Sequence, residues 1–418
     1  MNAWLKNVRI GFFLAVRQIR RANWWTTSLI IFVMVLTFLN LVVVSGILVG
    51  LIQGSIESYH TQYTGDVIIS SPLTKNYIEN TPNVLAIIRT LPQVAHVSVR
   101  FKEGSVLEAN YQTKRQSDKA DTAAGQLIGI DPSAEDSVTG LSSHIMEGSY
   151  LRPGDYDQVL LGYFMLKQYV TIDSPDFTAL HGVHLGSKIR ITVHGVTREV
   201  WVKGILRSKV DNVRRAIFMV APEAQDLMGR ADGNAAEIAI KLVPGADPTA
   251  VSQALKLRGI EDYARVQTYA DAQPQFLKDI IATFDTLGTA FGSIALVVAS
   301  ITIFIVVFIN ALTRRKFIGI LKGIGIDGHV IEIAYVFQSV FYAVVGSAIG
   351  LGIVYGILVP AFIAHPINFP FSDGILVAPV PQTLRRVALL VVTTLIAGFI
   401  PAWMIVRKNT LDSILGRN

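Results

Sequence analysis

Residues 22–56 read ANWWTTSLIIFVMVLTFLNLVVVSGILVGLIQGSI, 35 positions in a row without Asp, Glu, Lys or Arg. Crossing about 30 Å of hydrocarbon takes about 20 helical residues, so this run spans a membrane and overshoots it. At 1.5 Å per residue it would reach roughly 50 Å. A cleavable leader has an apolar stretch of only about 7–15 residues, so the run reads as a retained anchor. Three more charge-free runs follow at 286–313, 333–372 and 387–406. Pro360, Pro366 and Pro370 interrupt the third, which predicts a helix over 333–359 and an outer loop over 360–386. The fold class is therefore membrane α-helical, with four transmembrane helices.

Charge divides the rest of the chain. The 418 residues carry 37 Lys and Arg against 31 Asp and Glu, and only 16% are charged, against about 25% in soluble domains. The shortage is local: residues 57–279 hold 23 basic and 26 acidic side chains, and all other positions together hold 14 and 5. A water-soluble domain is inserted between the first and second spans. The basic excess outside it gathers in three places, at Lys6, Arg9, Arg17, Arg20 and Arg21, at Arg314, Arg315, Lys316 and Lys322, and at Arg407, Lys408 and Arg417. All three share one side if 57–279 lies on the other. Inner loops collect Lys and Arg, so both termini are expected in the cytoplasm and the inserted domain outside it. Arg385 and Arg386 are the discordant pair. Because the cations flank apolar spans, a membrane is the expected partner and no nucleic acid is. Cysteine is absent, which removes disulfides, thiolate metal sites and cysteine nucleophiles.

Before the first span, Trp4, Leu5, Val8, Phe12, Ala15, Val16 and Ile19 recur at three- and four-residue steps, which predicts an interfacial amphipathic helix over 1–21. The excess length of the first span (22–56) and second (280–313) suits a two-helix stalk rising into the inserted domain. Gly46, Gly50 and Gly54 repeat every four residues, as do the pairs Gly288/Gly292, Gly346/Gly350 and Gly352/Gly356. Small residues at that spacing let helix backbones approach in lipid, and packing within and between protomers is expected of them. No span has an ionisable residue in its middle, and inverted repeats are missing, which argues against ion-coupled carriers and channels.

The inserted domain is expected to be α+β. Strands at 66–70 and 94–99 flank a helix begun by Thr81-Pro82, and strands at 237–242 and 263–268 flank one begun by Asp247-Pro248. These paired β-α-β units predict an α/β subdomain over 57–103 and 236–279. The turn-rich stretch 104–235, with alternating strands at 126–130, 188–193, 198–206 and 216–220, predicts a mainly β subdomain inserted into it. His181, His184 and His194 carry the spacing of a metal trio on paper, but sit at glycine turns without a clustered acid. No G-x-S-x-G elbow or G-x-x-x-x-G-K-[ST] phosphate loop is present. This chain is not expected to be an enzyme, to hydrolyse nucleotide or to bind a cofactor.

Residues 313–326, TRRKFIGILKGIGI, resemble the signature of FtsX-like ABC permeases, roughly R-R-R-E-I-G-I-L-K-A-I-G. That family is the type VII group, with MacB-type and LolC/LolE-like lipoprotein-releasing subunits. Further elements agree in order, from Gly65-Asp-Val-Ile-Ile-Ser70 through Glu147-Gly148 and Val202-Lys-Gly-Ile-Leu206 to Ile400-Pro-Ala-Trp403 and the segment 409–415. Phe317 replaces the family's glutamate, and Lys322-Gly323 its alanine-containing turn. The resemblance implies a coupling helix over Arg314, Arg315, Lys316, Phe317, Ile318, Gly319, Ile320, Leu321, Lys322, Ile324 and Gly325, seated on a separate cytosolic ABC ATPase present in two copies. ATP and Mg would bind that partner. A second permease protomer, identical or homologous, completes the assembly in a bacterial inner membrane. The residues themselves offer a matching reason: Phe317, Ile318, Ile320, Leu321 and Ile324 make an apolar surface in a basic loop, to be buried in a partner's groove or in the lipid interface. The resemblance further implies export or release of lipoproteins, amphiphiles or peptides by mechanotransmission, with a lipoprotein or periplasmic adaptor outside. Its alternative is a signalling scaffold that activates extracytoplasmic cell-wall hydrolases.

Overall fold

The computed structural model describes residues 3–115, 117–170, 178–230, 232–369, 372–373 and 376–407. Lys408, Arg417, Pro370 and the closing segment 409–415 lie outside the described residues. The chain begins with α1 (Ala3–Arg20), α2 (Trp24–Tyr59) and a π-helical turn, His60–Thr64. The inserted unit continues with β1 (Val67–Ser70), α3 (Thr81–Arg89), β2 (Val94–Glu108), β3 (Thr122–Ile130), α4 (Pro132–Thr139), β4 (Ile145–Gly148) and β5 (Gln158–Gly162). Then come β6 (Lys188–Val193), β7 (Val196–Leu206), α5 (Asp211–Arg214), β8 (Ala216–Val220), α6 (Ala221–Met228), β9 (Glu237–Leu242), α7 (Pro248–Leu257) and β10 (Arg265–Thr268). The membrane unit resumes with α8 (Gln275–Thr313), α9 (Arg315–Gly323) and α10 (Gly328–Ile353), and ends with a π-helical segment (Val354–Leu358), α11 (Val359–Ala364) and α12 (Val380–Val406). Backbone contacts separate Gln53–Lys278 from the helices on either side as a compact unit.

In the inserted unit the two β-α-β segments interleave. The strand order begins β10-β1-β9-β2, each pair antiparallel, so β9 lies between the two strands joined by α3. This is a split β-α-β arrangement. All four positions of β1 are buried, which suits its apolar sequence VIIS, and it packs with Val84, Ile88, Val251 and Leu255 of the two covering helices. Asp247 caps α7 by accepting from Thr249 N (2.9 Å). Thr81 does not cap α3 as the sequence suggests. Asn80 holds the cap position at φ 59°, and the Thr81 hydroxyl donates to Ile78 O (2.8 Å).

The subdomain border expected at residue 104 falls inside β2. That strand pairs with β9 over Val94–Arg100 and with β3 from Phe101 to Glu108, joining both halves in one ten-stranded sheet. Pattern reading ends the strand at Val99 because charges follow, and those charges turn out to be buried. The remaining strands carry a second core, with Leu127, Leu161, Ile191, Val202 and Ile217 fully buried.

In the membrane unit, side chains at helical spacing meet in one core: Met34, Phe38 and Val42 of α2, Ala299, Ile303 and Val307 of α8, Tyr335 and Tyr342 of α10, and Leu390 and Ala397 of α12. Among the described residues, four helices are long and apolar enough to cross a membrane. The amphipathic α1 packs on α10, where a Cβ at Gly11 would stand 2.6 Å from Ile333 Cγ2 and the Phe12 and Phe337 rings meet edge-on at 5.4 Å. The expected outer loop is shorter than 360–386, since α11 runs to Ala364 and α12 starts at Val380. Pro381 sits in the first turn of α12, where a missing N–H costs nothing. Arg385 and Arg386 are therefore helical, and it was their charge that delayed the predicted start.

Candidate coupling sites

After Thr313 the backbone leaves the α8 geometry at Arg314 (φ −99°, ψ 12°) and re-enters a helix of nine residues, α9. Gly325 at φ 92° turns the chain, a conformation that favours glycine, and Asp327 then caps α10 through His329 N (3.1 Å). The apolar surface expected of this loop splits in two. Ile318 (3% exposed) and Leu321 (8%) join the helix core beside Ala311, Ile331 and Val406, and Gly319 is buried with them. Phe317 (49%), Ile320 (53%) and Ile324 (71%) face outward, at the i, i+3, i+7 spacing of one helix face. Lys322 is also structural, since its Nζ donates to Val406 O (2.9 Å), one of the carbonyls left open at the end of α12. Ile318, Leu321 and Lys322 thus hold α9 in place, and the outward face falls to Phe317, Ile320 and Ile324, with Lys316 exposed beside them.

The glycines divide likewise. A Cβ on Gly346 would lie 2.6 Å from Met34 Cβ, and one on Gly350 2.2 Å from the Phe38 ring, so α10 meets α2 through them. Gly46 accepts a backbone hydrogen bond from Val377 N (3.2 Å) and receives Leu376. Among the described residues, Gly288 and Gly292 face only leucine tips, Leu48 Cδ1 at 3.2 Å and Leu41 Cδ1 at 3.6 Å, and Gly352 and Gly356 face nothing within 4 Å.

A second site, which sequence reasoning missed, lies inside the inserted unit where α2 ends. The π-helical turn delivers Gly65 at φ 62°, where a Cβ would collide with Ile240 O at 2.6 Å. Around the turn, Tyr59 Oη donates to Asn212 Oδ1 (2.6 Å) and Gln62 Oε1 accepts from Ser208 Oγ (2.7 Å). His60 contacts Asp66 Oδ1 (2.8 Å) and stacks on Tyr269 at 4.1 Å. Beneath them Arg100, 1% exposed, donates to Glu135 through Nε (2.9 Å) and Nη2 (2.6 Å), and Nη2 also donates to Tyr63 O (2.6 Å). Ser98 Oγ (2.7 Å) and Thr139 Oγ1 (3.1 Å) complete the shell of Glu135.

Lys102 Nζ donates to both Tyr63 Oη (2.8 Å) and Glu237 Oε1 (2.7 Å), and Tyr63 Oη donates to Glu237 Oε2 (2.7 Å). Burial alone would raise the Glu237 carboxyl, but Lys102 and Arg100 hold it below the usual carboxylate range. Asp66 is likewise opposed by burial, yet held low by His60 and by Leu242 N (2.7 Å). The signal in the sequence was the parity of Ser98, Arg100 and Lys102, one face of β2, which reads as a solvent face unless the burial is known. His181 pairs with Asp121 (3.0 Å) and His194 with Glu103 (3.4 Å), so these two histidines of the paper trio go to different carboxylates.

Long apolar spanning helices, a short helix after the second, and a split β-α-β unit inserted after the first define a membrane protein of permease type. Residues 27–257 match the family model for the MacB-like periplasmic core domain, more than half of the chain, and residues 289–410 match that for the FtsX-like permease C-terminal region. The chain belongs to the MacB-type, FtsX-like ABC transporter permease family. It is similar to an uncharacterized ABC transporter permease protein of Mycobacterium tuberculosis, at 26% identity over 232 residues, which is 54% of this chain and 25% of the relative, so the chain spans about a quarter of the curated relative that it matches. Among solved structures it is similar to the periplasmic region of MacB from Actinobacillus actinomycetemcomitans (TM-score 0.34, 14% identity, 49% of this chain and 88% of that one). It is also similar to the extracellular domain of the ABC-type transporter YknZ from Gram-positive bacteria (TM-score 0.32, 13% identity, 49% and 99%).

Proposed function

We propose that the chain converts the motion of a separate cytosolic ABC ATPase into movement of its inserted domain, which stands outside the cytoplasm of a bacterial inner membrane. The observation that carries this reading is the division of α9. A helix anchored by Ile318 and Leu321 presents Phe317, Ile320 and Ile324 outward beside Lys316. A partner's groove would bury such a face. The ATPase, in two copies, binds ATP and Mg²⁺, and two permease protomers receive the motion through α9. Because α8 and α2 are continuous helices of 39 and 36 residues leading to the inserted unit, each is a rigid lever for that motion. The π-helical turn and the Arg100 network then grip the end of α2. The work expels or hands on an amphiphile, lipoprotein or peptide at the outer surface.

The test is co-purification with the partner ATPase and its stimulated ATP hydrolysis. Ile320→Asp and Phe317→Asp should lose both while the protein still inserts and melts normally. Normal association of the double variant would overturn the coupling role of α9.

A further inference from the structure

Arg385 and Arg386, the pair that breaks the inner-charge pattern, open onto a cavity within the membrane unit. About 300 Å³ in volume, it lies among the C-terminal half of α2, the N-terminal half of α8 and the first turns of α12. Leu41, Leu48, Ile52, Phe284, Leu296 and Leu389 give it an apolar wall, and Thr289 and Ser293 put hydroxyls beside them. Ser45 and Asp285 add polar lining, and the two guanidiniums against the single carboxylate of Asp285 leave a net positive charge. Gly288 and Gly292 line it too, and since neither has backbone opposite it, they leave space there instead of clasping a helix.

One donor is out of place. Among the described residues, Nη1 of Arg386 is buried and has no hydrogen-bond partner. A long cation near a helix end normally reaches for water, and a buried donor with no acceptor costs about 1–3 kcal/mol, more when charged. The planar fork of arginine matches phosphate oxygens. Two arginines lining a cavity with an apolar wall, one of them already short of an acceptor, thus ask for an anion attached to a hydrocarbon.

We propose that this cavity binds a single-phosphate amphiphile of the glycerophospholipid type, its phosphate on Arg386 and Arg385 and an acyl chain along the wall of α2 and α8. Gly288 and Gly292 make room for that chain. The site stands on the cavity alone and does not depend on the ATPase reading, so its test uses this chain without a partner.

The full chain, purified in a neutral detergent, is titrated with phosphatidylglycerol carrying an environment-sensitive fluorophore on one acyl chain. Diacylglycerol with the same label is the neutral control, and inorganic phosphate the competitor. Saturable binding of the labelled phosphatidylglycerol is expected. Arg386→Gln should weaken it about tenfold, the equivalent of about 1.4 kcal/mol, and leave diacylglycerol unchanged. Gly292→Leu, filling the cavity from the opposite wall, should weaken both lipids. Wild-type affinity in both variants would overturn the proposal. Complete displacement by millimolar phosphate, with no loss in Gly292→Leu, would assign the guanidiniums to a free anion and overturn the amphiphile.

Discussion

The two joints of this protein are built from opposite materials. Where α2 enters the inserted unit, the turn is gripped by buried, fully charged groups: Arg100 on Glu135, and Lys102 with Tyr63 on Glu237. Where α9 meets the helix bundle, the grip is two apolar side chains and one lysine on a helix end. A buried ion network is directional and fails badly when one member is removed. Apolar anchoring is non-directional, and its cost scales with the volume lost. In the function proposed above, the first would be a fixed clamp on a lever and the second a platform with its outer face open to a partner.

The comparison breaks most visibly at Arg100. Arg100→Leu strands Glu135 in a buried site and should cost about 3–5 kcal/mol, read as a fall in the thermal midpoint of the full-length protein. Adding Glu135→Leu should recover part of that loss, because both charges are then gone. If the single and double variants melt alike, the network is not the clamp described here.

At the other joint the contrast lies within one helix. Leu321→Ala removes a core side chain and should cost about 2 kcal/mol or more, whereas Ile320→Ala, one position away and exposed, should stay within about 0.5 kcal/mol. Equal losses at the two positions would mean that α9 has no anchored face.

The glycines sharpen the picture next. Gly346→Ala forces a methyl to 2.6 Å from Met34 Cβ, and overpacking of that kind costs about 1–3 kcal/mol. Gly352→Ala meets open space and should lose nothing. Both are read from thermal midpoints in the same detergent.

The smallest effect concerns charge that the inserted unit buries with a single cation beside it. Glu223 accepts Asp157 N through both oxygens (2.9 and 3.0 Å), and Arg198 Nε stands 3.4 Å away. Burial pushes its carboxyl from the usual 4.5 up to about 7. A carboxyl raised in the folded state holds its proton more tightly there than in the unfolded chain. Its contribution to stability is complete below about pH 4.5 and lost as pH rises through about 7. Glu223→Gln keeps an acceptor for Asp157 N without the charge, so its thermal midpoint should gain on the wild type between pH 5 and 8. A constant difference across that range would show that Glu223 does not titrate there.

Spans, inserted domain and the amphipathic first helix were legible because apolar and water-exposed segments demand different compositions, and composition is a property of the chain itself. The caps were half legible: Asp247 behaves as its position suggests, while Thr81 turns its hydroxyl back to Ile78 O. In α9 the residue types were plain, but which of five apolar side chains faces inward depends on where α8 stops and at what angle the short helix leaves it.

The sequence by itself determined how many times the chain could cross a membrane and where its charged domain was inserted. It also supplied the apolar and basic surface of the short loop helix, because each of these follows from hydropathy and charge along a few consecutive residues. Only the tertiary structure decided that β2 runs through the expected border, that Arg100 and Lys102 on it are buried against acids contributed by α4 and β9, and that Arg386 opens onto a cavity. Those facts depend on partners far apart in the chain, and whether a charge is paired in the interior or solvated outside is set by what packs over it.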